Sequence, residues 1–348
     1  MNYQTKICTV ESVTSGHPDK VCDQISDAVL DACLKEDPKS RVAIETFGGH
    51  GLVVVGGELT TNADIDAKKI AQDVYTGIGY NEPLEILTRI VKQSPDISQG
   101  VDTGGAGDQG IMYGYATNET NEYLPEGVVL AHKLSRGLED LRRSGINWLR
   151  PDGKSQVTLK DGRVKTVLIS TQHTQDVSQE EIKKVLTEKL IRPIIKTEDI
   201  EIYVNPTGMF LQGGFEADTG LTGRKLMVDT YGGLIPHGGG CFSGKDATKV
   251  DRSAAYMCRF AAKNIVANGL ADKCLVSVAY AIGMEKPLMV EAVNEKGESL
   301  SEIVNKNFDF RPPAIIERLD LRRPIFQQTA SYGHFGKEGL PWEEMVEI

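Results

Sequence analysis

The segment 237–269, HGGGCFSGKDATKVDRSAAYMCRFAAKNIVANG, joins a glycine-rich loop to a predicted helix. In the phosphate-binding pattern G-x-x-x-x-G-K-[ST], the eighth residue is Ser or Thr because its hydroxyl binds magnesium. Gly239, Gly244 and Lys245 match the first seven positions, but Asp246 occupies the eighth. The loop is therefore a P-loop that lacks its last residue, a different triphosphate site, or a glycine-rich turn with solvated lysines.

The surroundings of this loop favour an anion site. We predict a strand over 225–233 before the loop and a long helix near 249–268 after it. Glycines let backbone N–H groups approach an anion, and the helix N-terminus adds a partial positive charge. Lys245 and Lys249 could point at one ligand, and Asp246 and Asp251 could bind magnesium together with phosphate oxygens.

Composition and charge restrict the function classes. The chain has 348 residues, of which 40% are hydrophobic and 25% charged, as in globular proteins. Its net charge of −10 argues against a nucleic-acid partner. No apolar run approaches the roughly 20 residues that span a bilayer, and the N-terminus lacks the apolar region of a secretion signal. The six scattered cysteines are typical of reduced thiols, so we expect a cytoplasmic protein without membrane or nucleic-acid partners.

Strand and helix signals alternate in three blocks, 1–100, 101–211 and 212–348, which we predict to be three domains. A strand pair followed by a helix recurs in all three blocks. Antiparallel sheets with helices packed on one face, an α+β fold, fit this order better than a long parallel sheet. In the first block, we predict that Asn62 or Asp64 caps the second helix. In the second block, the turn of a hairpin is predicted at Asp161 and Gly162.

A second glycine pattern, G-x-G-x-x-G at 105–110, matches the dinucleotide-binding fingerprint. That fingerprint requires a strand before it and a helix after it. Neither the preceding ISQGVDTG nor the following IMYGYATNE supplies that context, so we reject a dinucleotide site.

The hexapeptide SGHPDK places His17, Asp19 and Lys20 at the predicted N-terminus of the first helix. The helix dipole favours an anion there and disfavours an imidazolium, whereas Asp19 would favour the charged form, so the charge of His17 stays open. The carboxylates recur every four residues: Asp19, Asp23, Asp27 and Asp31. We interpret that stripe as a solvated face, with Asp19 as its candidate metal ligand.

Charged residues in other turns and strands are weaker candidates by themselves. The turns PDGKSQV and GLTGRK contribute Asp152, Lys154, Arg224 and Lys225. Glu45 and Glu58 fall in predicted strands, where carboxylates are depleted. An exposed sheet edge explains such glutamates more often than ligand binding does.

Together, four segments closely resemble the methionine adenosyltransferases, also called S-adenosylmethionine synthetases: ESVTSGHPDKVCDQISDAVLDA, GAGDQGIMYGYATNE, GLTGRKLMVDTYGG and HGGGCFSGKDATKVDRSAAY. The resemblance runs in order from about Thr9 to Trp342. It implies that the Lys245 loop is that family's triphosphate loop, in which Asp246 is the expected residue, and not a damaged P-loop.

The resemblance implies a fold of three similar domains around a pseudo-threefold axis. It also implies a two-step reaction. The methionine sulfur attacks C5′ of ATP and expels the triphosphate, which is then hydrolysed to pyrophosphate and phosphate. Preorganised cations are required because stabilisation of developing charge is usually the largest catalytic contribution.

The resemblance also assigns roles to individual residues. The catalytic residues it implies are His17, Lys154, Arg224, Lys225 and Lys245. The ATP contacts add Asp152, Phe210, Asp218 and Cys241. The methionine contacts are Glu58, Gln99, Asp218 and Lys249, and Asp108 is a polar contact from the loop. Asp19 and Asp251 correspond to ligands of two Mg²⁺ ions, and Glu45 corresponds to a K⁺ ligand.

The family implies a homodimer with shared active sites, which in many members pairs into a dimer of dimers. This chain departs from the family pattern at Met209, which replaces an Arg, and at Cys241, which replaces an Ala. The segments around 80–96 and 99–110 are also shorter than usual. We considered a phosphotransferase that forms ADP, and a non-catalytic subunit, as alternatives. The second predicts loss of residues such as His17 or Lys245, and both are present.

Overall fold

The computed structural model describes residues 6–92 and 104–348. Its strands are β1 (Ile7–Val13), β2 (Arg41–Gly49), β3 (Leu52–Thr60), β4 (Glu85–Val91), β5 (Gly110–Thr117), β6 (Leu149–Lys160), β7 (Arg163–His173), β8 (Glu201–Val204), β9 (Gly220–Leu221), β10 (Lys273–Tyr280) and β11 (Met289–Asn294). Its helices are α1 (Pro18–Glu36), α2 (Ala67–Ile78), α3 (Glu126–Arg143), α4 (Gln179–Leu186), α5 (Arg192–Ile194), α6 (Leu226–Asp229), α7 (Val250–Ala267), α8 (Ser301–Asn307) and α9 (Pro312–Arg318).

The described strands form three sheets, in the orders β1-β6-β7-β8, β4-β3-β2-β9 and β11-β10-β5. Each sheet is built on an antiparallel hairpin: β2–β3, β6–β7 or β10–β11. A long helix precedes each hairpin and a shorter helix follows it. In two sheets the chain then adds an edge strand in parallel, β4 beside β3 and β8 beside β7. The predicted α+β fold with three similar units is confirmed.

The three units are linked in a ring by exchanged strands. The strand before each long helix pairs with the hairpin of another unit: β1 with β6, β5 with β10, and β9 with β2. Each pairing takes a strand from one of the predicted blocks into the sheet of the next, and the third closes the ring. The boundaries 1–100, 101–211 and 212–348 therefore stay a prediction, because sheet pairing crosses each of them.

Helices α1 and α7 lie at the centre of the fold. Nearly every residue of α7 is buried, including Arg252 and Arg259, and most of α1 is buried as well. These two helices therefore differ from the amphipathic surface helices that a one-sided apolar stripe predicts. In the described part of the chain, no helix combines the length and apolar character that crossing a membrane requires.

Several local predictions are confirmed and others are wrong. The hairpin turn at Asp161 and Gly162 is confirmed, with φ of +50° and +71°, as a two-residue turn of the I′ type requires. Asp66, rather than Asn62 or Asp64, caps α2, because its carboxylate accepts the N–H groups of the first helical turn. The strand predicted over 225–233 is wrong, since the chain forms the short helix α6 there.

The interpretation of the aspartate stripe on α1 as a solvated face is wrong. Asp19, Asp23 and Asp27 are at most 1% exposed. Asp27 forms a bidentate ion pair with Arg252 of α7, at 2.6 and 2.8 Å, and both side chains are fully buried. Asp31 accepts the backbone N–H groups of Phe326 and Gln327. The stripe is buried because its partners, distant in sequence, cover α1 on this side as well.

Replacing Arg252 with Met should lower the free energy of unfolding by about 3–5 kcal/mol, because it leaves the Asp27 carboxylate buried without its cation. Guanidinium chloride unfolding followed by circular dichroism measures the change. Arg311→Met, which removes exposed ion pairs with Asp309 and Glu285, is the control and should have little effect. Equal effects of the two substitutions would contradict a structural role for the buried pair.

Candidate active site

The glycine loop is held against β2 by backbone hydrogen bonds. Ile44 N–H donates to Gly244 O at 3.0 Å, and Asp246 N–H donates to Val42 O at 3.1 Å. A side chain at Gly244 would collide with Ile44 O, since a Cβ there would lie 1.8 Å from it, and the φ of Gly244 is +78°. Only glycine fits this position.

Asp246 anchors the loop instead of supplying the hydroxyl of a P-loop. Its buried carboxylate accepts the N–H of Val42 at 2.7 Å and of Thr248 at 2.9 Å. It also forms a 2.5 Å ion pair with Lys249. The departure from the P-loop pattern at the eighth position is thus explained by the attachment of the loop to the neighbouring sheet.

The buried pair Asp27–Arg252 fixes the loop from the other side. Asp27 accepts the N–H of Gly244 at 2.8 Å. The Arg252 guanidinium donates to the carbonyls of Phe242 at 2.9 Å and Lys245 at 3.2 Å. The backbone on both sides of the Lys245 side chain is therefore fixed by one buried ion pair, while the side chain itself stays 21% exposed.

The ammonium group of Lys245 lies 2.6 Å from Asp251 Oδ2. Burial by itself would lower the pKa of Lys245, but the neighbouring Cys241 side chain and the carboxylates of Asp251 and Glu45 raise it above its usual value. Lys245 is therefore a cation throughout the neutral pH range. Asp251, in the first turn of α7, is its nearest carboxylate partner among the described residues.

Arg224 and Lys225 approach the start of α1. The Lys225 ammonium pairs with Asp19 Oδ2 at 2.5 Å, and Arg224 Nε lies 3.5 Å from Asp19 Oδ1. Leu221 N–H also donates to Asp19, at 3.0 Å. Burial would raise the pKa of Asp19, but the contact with Lys225 and this N–H hold it below its usual value.

The turn that carries Arg224 and Lys225 also touches the glycine loop. A Cβ on Gly223 would lie 2.4 Å from Cys241 Cβ, so the two segments are in close contact. Gly223 N–H donates to buried Asp23 at 2.9 Å, which ties this turn to α1 as the glycine loop is tied by Asp27. The structure therefore brings two of the predicted basic segments together.

His17 is the N-cap of α1, and its Nδ1 accepts the N–H of Asp19 at 3.2 Å. An accepting Nδ1 places the ring proton of a neutral imidazole on Nε2. Burial, followed by the positive charges of Lys225 and Lys154, lowers the pKa of His17 to about 3. The question left open by the sequence is therefore answered: His17 is neutral in this environment.

Lys154 and Asp152 lie in β6, which pairs with β1 just before His17. Asp152 is 6% exposed, and its Oδ2 accepts the N–H of Gly214 at 2.9 Å. Its Oδ1 has no hydrogen-bond partner among the described residues, so it is free to accept from a ligand. Burial raises the pKa of Asp152 to about 6 despite the N–H of Gly214 and the charge of Lys154.

The other predicted residues are less closely grouped. Glu45 lies on the exposed face of β2, a strand paired on both sides, so an edge position does not explain it. Glu58, on the neighbouring strand β3, lies opposite Ala43 of β2. Asp108 and Asp218 are exposed and accept the N–H of the following residue. Gln99 lies outside the described residues.

Phe210 is half-buried, and His173 Nε2 accepts its N–H at 3.1 Å. Met209 beside it is 71% exposed, so nothing in the described chain covers it.

Sequence reasoning missed the residues that support the site. Asp23, Asp27 and Arg252 are buried and hold the two basic segments, and Lys20 pairs with Asp229 at 2.5 Å. The four-residue spacing of aspartates was the available signal, but spacing does not distinguish a solvated face from one that meets buried cations.

The donors around Lys225 and Lys245 suit a hard divalent cation. Asp19 and Asp251 are carboxylates, and Mg²⁺ usually takes one or two carboxylates together with phosphate oxygens and water. Within residues 6–92 and 104–348, no group of three or more His, Cys, Asp or Glu side chains forms a complete protein cage for a metal. The residues therefore fit a metal bound together with a phosphate ligand and not a zinc-like structural site.

Buried Asp152 should make stability depend on pH. Its folded pKa of about 6 exceeds the unfolded value of about 3.9, so its stabilising contribution is complete below about pH 4 and is lost as pH rises through about 6. The free energy of unfolding of Asp152→Asn, relative to that of wild type, should therefore rise by roughly 1 kcal/mol from pH 5 to pH 8. Thermal unfolding at both pH values measures this, with exposed Asp218→Asn as control. A pH-independent difference would contradict the assignment.

Fold and site together define an α+β protein of three linked units with a cluster of cations and carboxylates that suits a polyphosphate with metal ions. Three family models match nearly the whole chain: S-adenosylmethionine synthetase, N-terminal domain (residues 5–95), central domain (103–210) and C-terminal domain (212–344). The chain belongs to the S-adenosylmethionine synthetase family.

Two curated relatives agree with this assignment. The S-adenosylmethionine synthase of Clostridium tetani (strain Massachusetts / E88) is 50% identical over 383 residues, covering 99% of this chain and 98% of the relative. That of Petrotoga mobilis (strain DSM 10674 / SJ95) is 48% identical over 387 residues, covering 98% and 96%. Both alignments are longer than the 348-residue chain, so both contain gaps within it.

Proposed function

We propose how this chain forms S-adenosylmethionine from ATP and L-methionine, the reaction of its family. The methionine sulfur attacks C5′ of ATP, and the triphosphate departs towards a cation cluster formed by Lys154, Arg224, Lys225 and Lys245. The observation that carries the proposal is the contact between the Arg224–Lys225 turn and the Lys245 loop at Cys241. Fixed cations at the developing charge stabilise the transition state without reorganisation.

His17 donates a hydrogen bond to the departing oxygen. Its neutral ring keeps the proton on Nε2, because Nδ1 is occupied by the N–H of Asp19. The neutral ring retains one donor, Nε2–H, for the charge that develops on the leaving oxygen. The sulfur is already nucleophilic, so positioning and stabilisation of the leaving group account for the rate without a general base.

The family requires a divalent metal ion. In our proposal, Asp19 and Asp251 each hold one of two Mg²⁺ ions, and Glu45 holds a K⁺ ion. These ions would supply positive charge to the triphosphate when bound. The residues of the chain then hold the same triphosphate for its hydrolysis to pyrophosphate and phosphate.

The remaining contacts position the two substrates. Phe210 and Asp152 face the nucleoside, with the free Oδ1 of Asp152 as acceptor, and Cys241 lies beside ATP. Glu58 binds the methionine ammonium and Lys249 its carboxylate. Gln99 and Asp218 complete the methionine pocket, and Asp108 is a loop contact.

Lys245→Met should lower kcat by roughly 100-fold or more, because it removes a cation that is most needed when the triphosphate leaves. The KM for methionine should change much less. Steady-state kinetics with both substrates measures the two effects, and exposed Lys184→Met on α4 is the matched control. Near-normal turnover of Lys245→Met would exclude the proposed role of this residue.

Restoring the family residue by Met209→Arg should tighten ATP binding roughly tenfold by adding a cation beside Phe210. Fluorescence titration or calorimetry with a non-hydrolysable ATP analogue measures the affinity. Leu211→Arg, two residues further along, controls for added charge. Equal effects of both substitutions would show that position 209 does not face the nucleotide.

A homodimer with shared active sites forms through the outer face of the sheet β4-β3-β2-β9. Phe47, Leu87 and Val91 are 40–49% exposed on this face, and Phe47 lies opposite Val54 in the strand register. Exposed apolar side chains grouped on one sheet face are typical of an interaction surface. Glu45 and Glu58 lie on the same two strands, which brings predicted ligand residues to the interface. Two dimers could pair further, and we place the enzyme in the cytoplasm.

Phe47→Glu should convert the dimer into monomers, because it places a charge in the centre of the proposed apolar interface. Light scattering coupled to gel filtration measures the mass. Tyr203→Glu, at an equally exposed position on β8 of another sheet, is the control. A dimer that survives Phe47→Glu unchanged would place the interface elsewhere.

A further inference from the structure

We propose that metal ions and polyphosphate enter this site by ion-pair exchange, each taking one partner of the lysine–aspartate pairs in the structure, so that each tightens binding of the other. The inference rests on the proposed function and adds a rule for how the ligands assemble. It concerns Lys245 with Asp251 and Lys225 with Asp19.

The observation that carries this inference is the identity of the paired groups. Lys245 contacts Asp251 at 2.6 Å, and Lys225 contacts Asp19 at 2.5 Å. In both pairs, the lysine is one that the proposed function assigns to the triphosphate, and the aspartate is one that it assigns to a metal. The same groups are therefore each other's partners in the structure and the partners of oppositely charged ligands in the reaction.

Partial burial raises the free-energy cost of breaking these ion pairs. The side chains of Lys245 and Asp251 are 21% and 20% exposed, and Asp19 is 1% exposed. Ion pairs with limited solvent contact are screened less than surface pairs, so breaking one without a replacement partner is unfavourable. A polyphosphate that arrives alone must displace Asp251 from Lys245 and then lies beside an unpaired carboxylate. A metal ion that arrives alone must displace Lys245 from Asp251 and then lies beside an unpaired ammonium group.

When both ligands arrive, each freed group finds a new partner. The carboxylate goes to the metal and the ammonium goes to the phosphate oxygens, so no buried charge is left unpaired. Thermodynamic linkage then requires that the metal raise the affinity for polyphosphate by the same factor as polyphosphate raises the affinity for the metal.

A third pair in the same loop provides an internal comparison. Lys249 pairs with Asp246 at 2.5 Å, but Asp246 also accepts the backbone N–H groups of Val42 and Thr248. Both oxygens of this carboxylate accept backbone N–H groups, so it anchors the loop and is not available to a metal, whereas only Oδ1 of Asp19 accepts one, from Leu221. Charge removal at Lys249 therefore changes the local field without releasing a candidate metal ligand.

The first test measures tripolyphosphate binding by calorimetry, in EDTA and without potassium. Asp251→Asn should bind tripolyphosphate at least about tenfold more tightly than wild type, because Lys245 no longer has a competing carboxylate. Glu45→Gln removes a negative charge that acts on Lys245 without a direct ion pair. Its effect should stay below about threefold. An Asp251→Asn variant that binds no more tightly than Glu45→Gln would overturn the exchange.

The second test is the reciprocal one and uses Mn²⁺ in place of Mg²⁺, with binding followed by electron paramagnetic resonance without phosphate. Lys245→Met should bind Mn²⁺ about tenfold more tightly, because Asp251 is released. Lys249→Met is the matched loss of one positive charge in the same loop and should change the affinity less than threefold. Equal effects of Lys245→Met and Lys249→Met on the affinity for Mn²⁺ would contradict the proposed ion-pair exchange.

One further arm separates this inference from the proposed function. If Lys245→Met binds tripolyphosphate as tightly as wild type, the anion does not contact Lys245, and the proposed role fails together with the exchange. Lys245→Met could instead weaken tripolyphosphate binding while Asp251→Asn binds tripolyphosphate no more tightly than Glu45→Gln, and Lys245→Met binds Mn²⁺ no more tightly than Lys249→Met. In that case Lys245 binds the anion as proposed, and only the ion-pair exchange is wrong. Circular dichroism spectra that match wild type establish that each variant is folded.

Discussion

The fully buried ion pair between Asp27 of α1 and Arg252 of α7 is the interaction on which the site depends. It joins the two central helices, and its remaining hydrogen bonds go to Gly244, Phe242 and Lys245 of the glycine loop. Such a pair contributes less to net stability than an apolar contact would, but it specifies one geometry when every donor and acceptor is used. Here that geometry fixes the loop that carries the partly exposed side chain of Lys245.

The exchange of strands explains why residues far apart in sequence meet. Because β9 leaves its own unit to pair with β2, the Arg224–Lys225 turn that follows it reaches the start of α1. Because β1 pairs with β6, Lys154 lies opposite Val13, shortly before His17. The cation cluster therefore forms where the units are linked. In the proposed function, an acidic chain with a net charge of −10 binds a polyanion because the fold brings these cations together.

Sequence reasoning predicted the elements with strong periodicity or clear turns, such as α7 and the hairpin at Asp161 and Gly162. It failed where tertiary contacts determine the structure. Asp27 reads as one of four regularly spaced surface carboxylates, and only the fold shows its partner 225 residues away. The charge of His17 was open because helix dipole and Asp19 act in opposite directions, and burial decides between them. The individual residue roles came from family resemblance, since glycine spacing alone left a P-loop possible.

The most direct test of the account is mass-spectrometric analysis of the products that the purified protein forms from ATP, methionine, Mg²⁺ and K⁺. The account predicts S-adenosylmethionine, pyrophosphate and phosphate in equal amounts, because one cation cluster holds the triphosphate through its departure and its hydrolysis. Formation of ADP, or release of intact triphosphate without hydrolysis, would contradict a single site that carries out both steps.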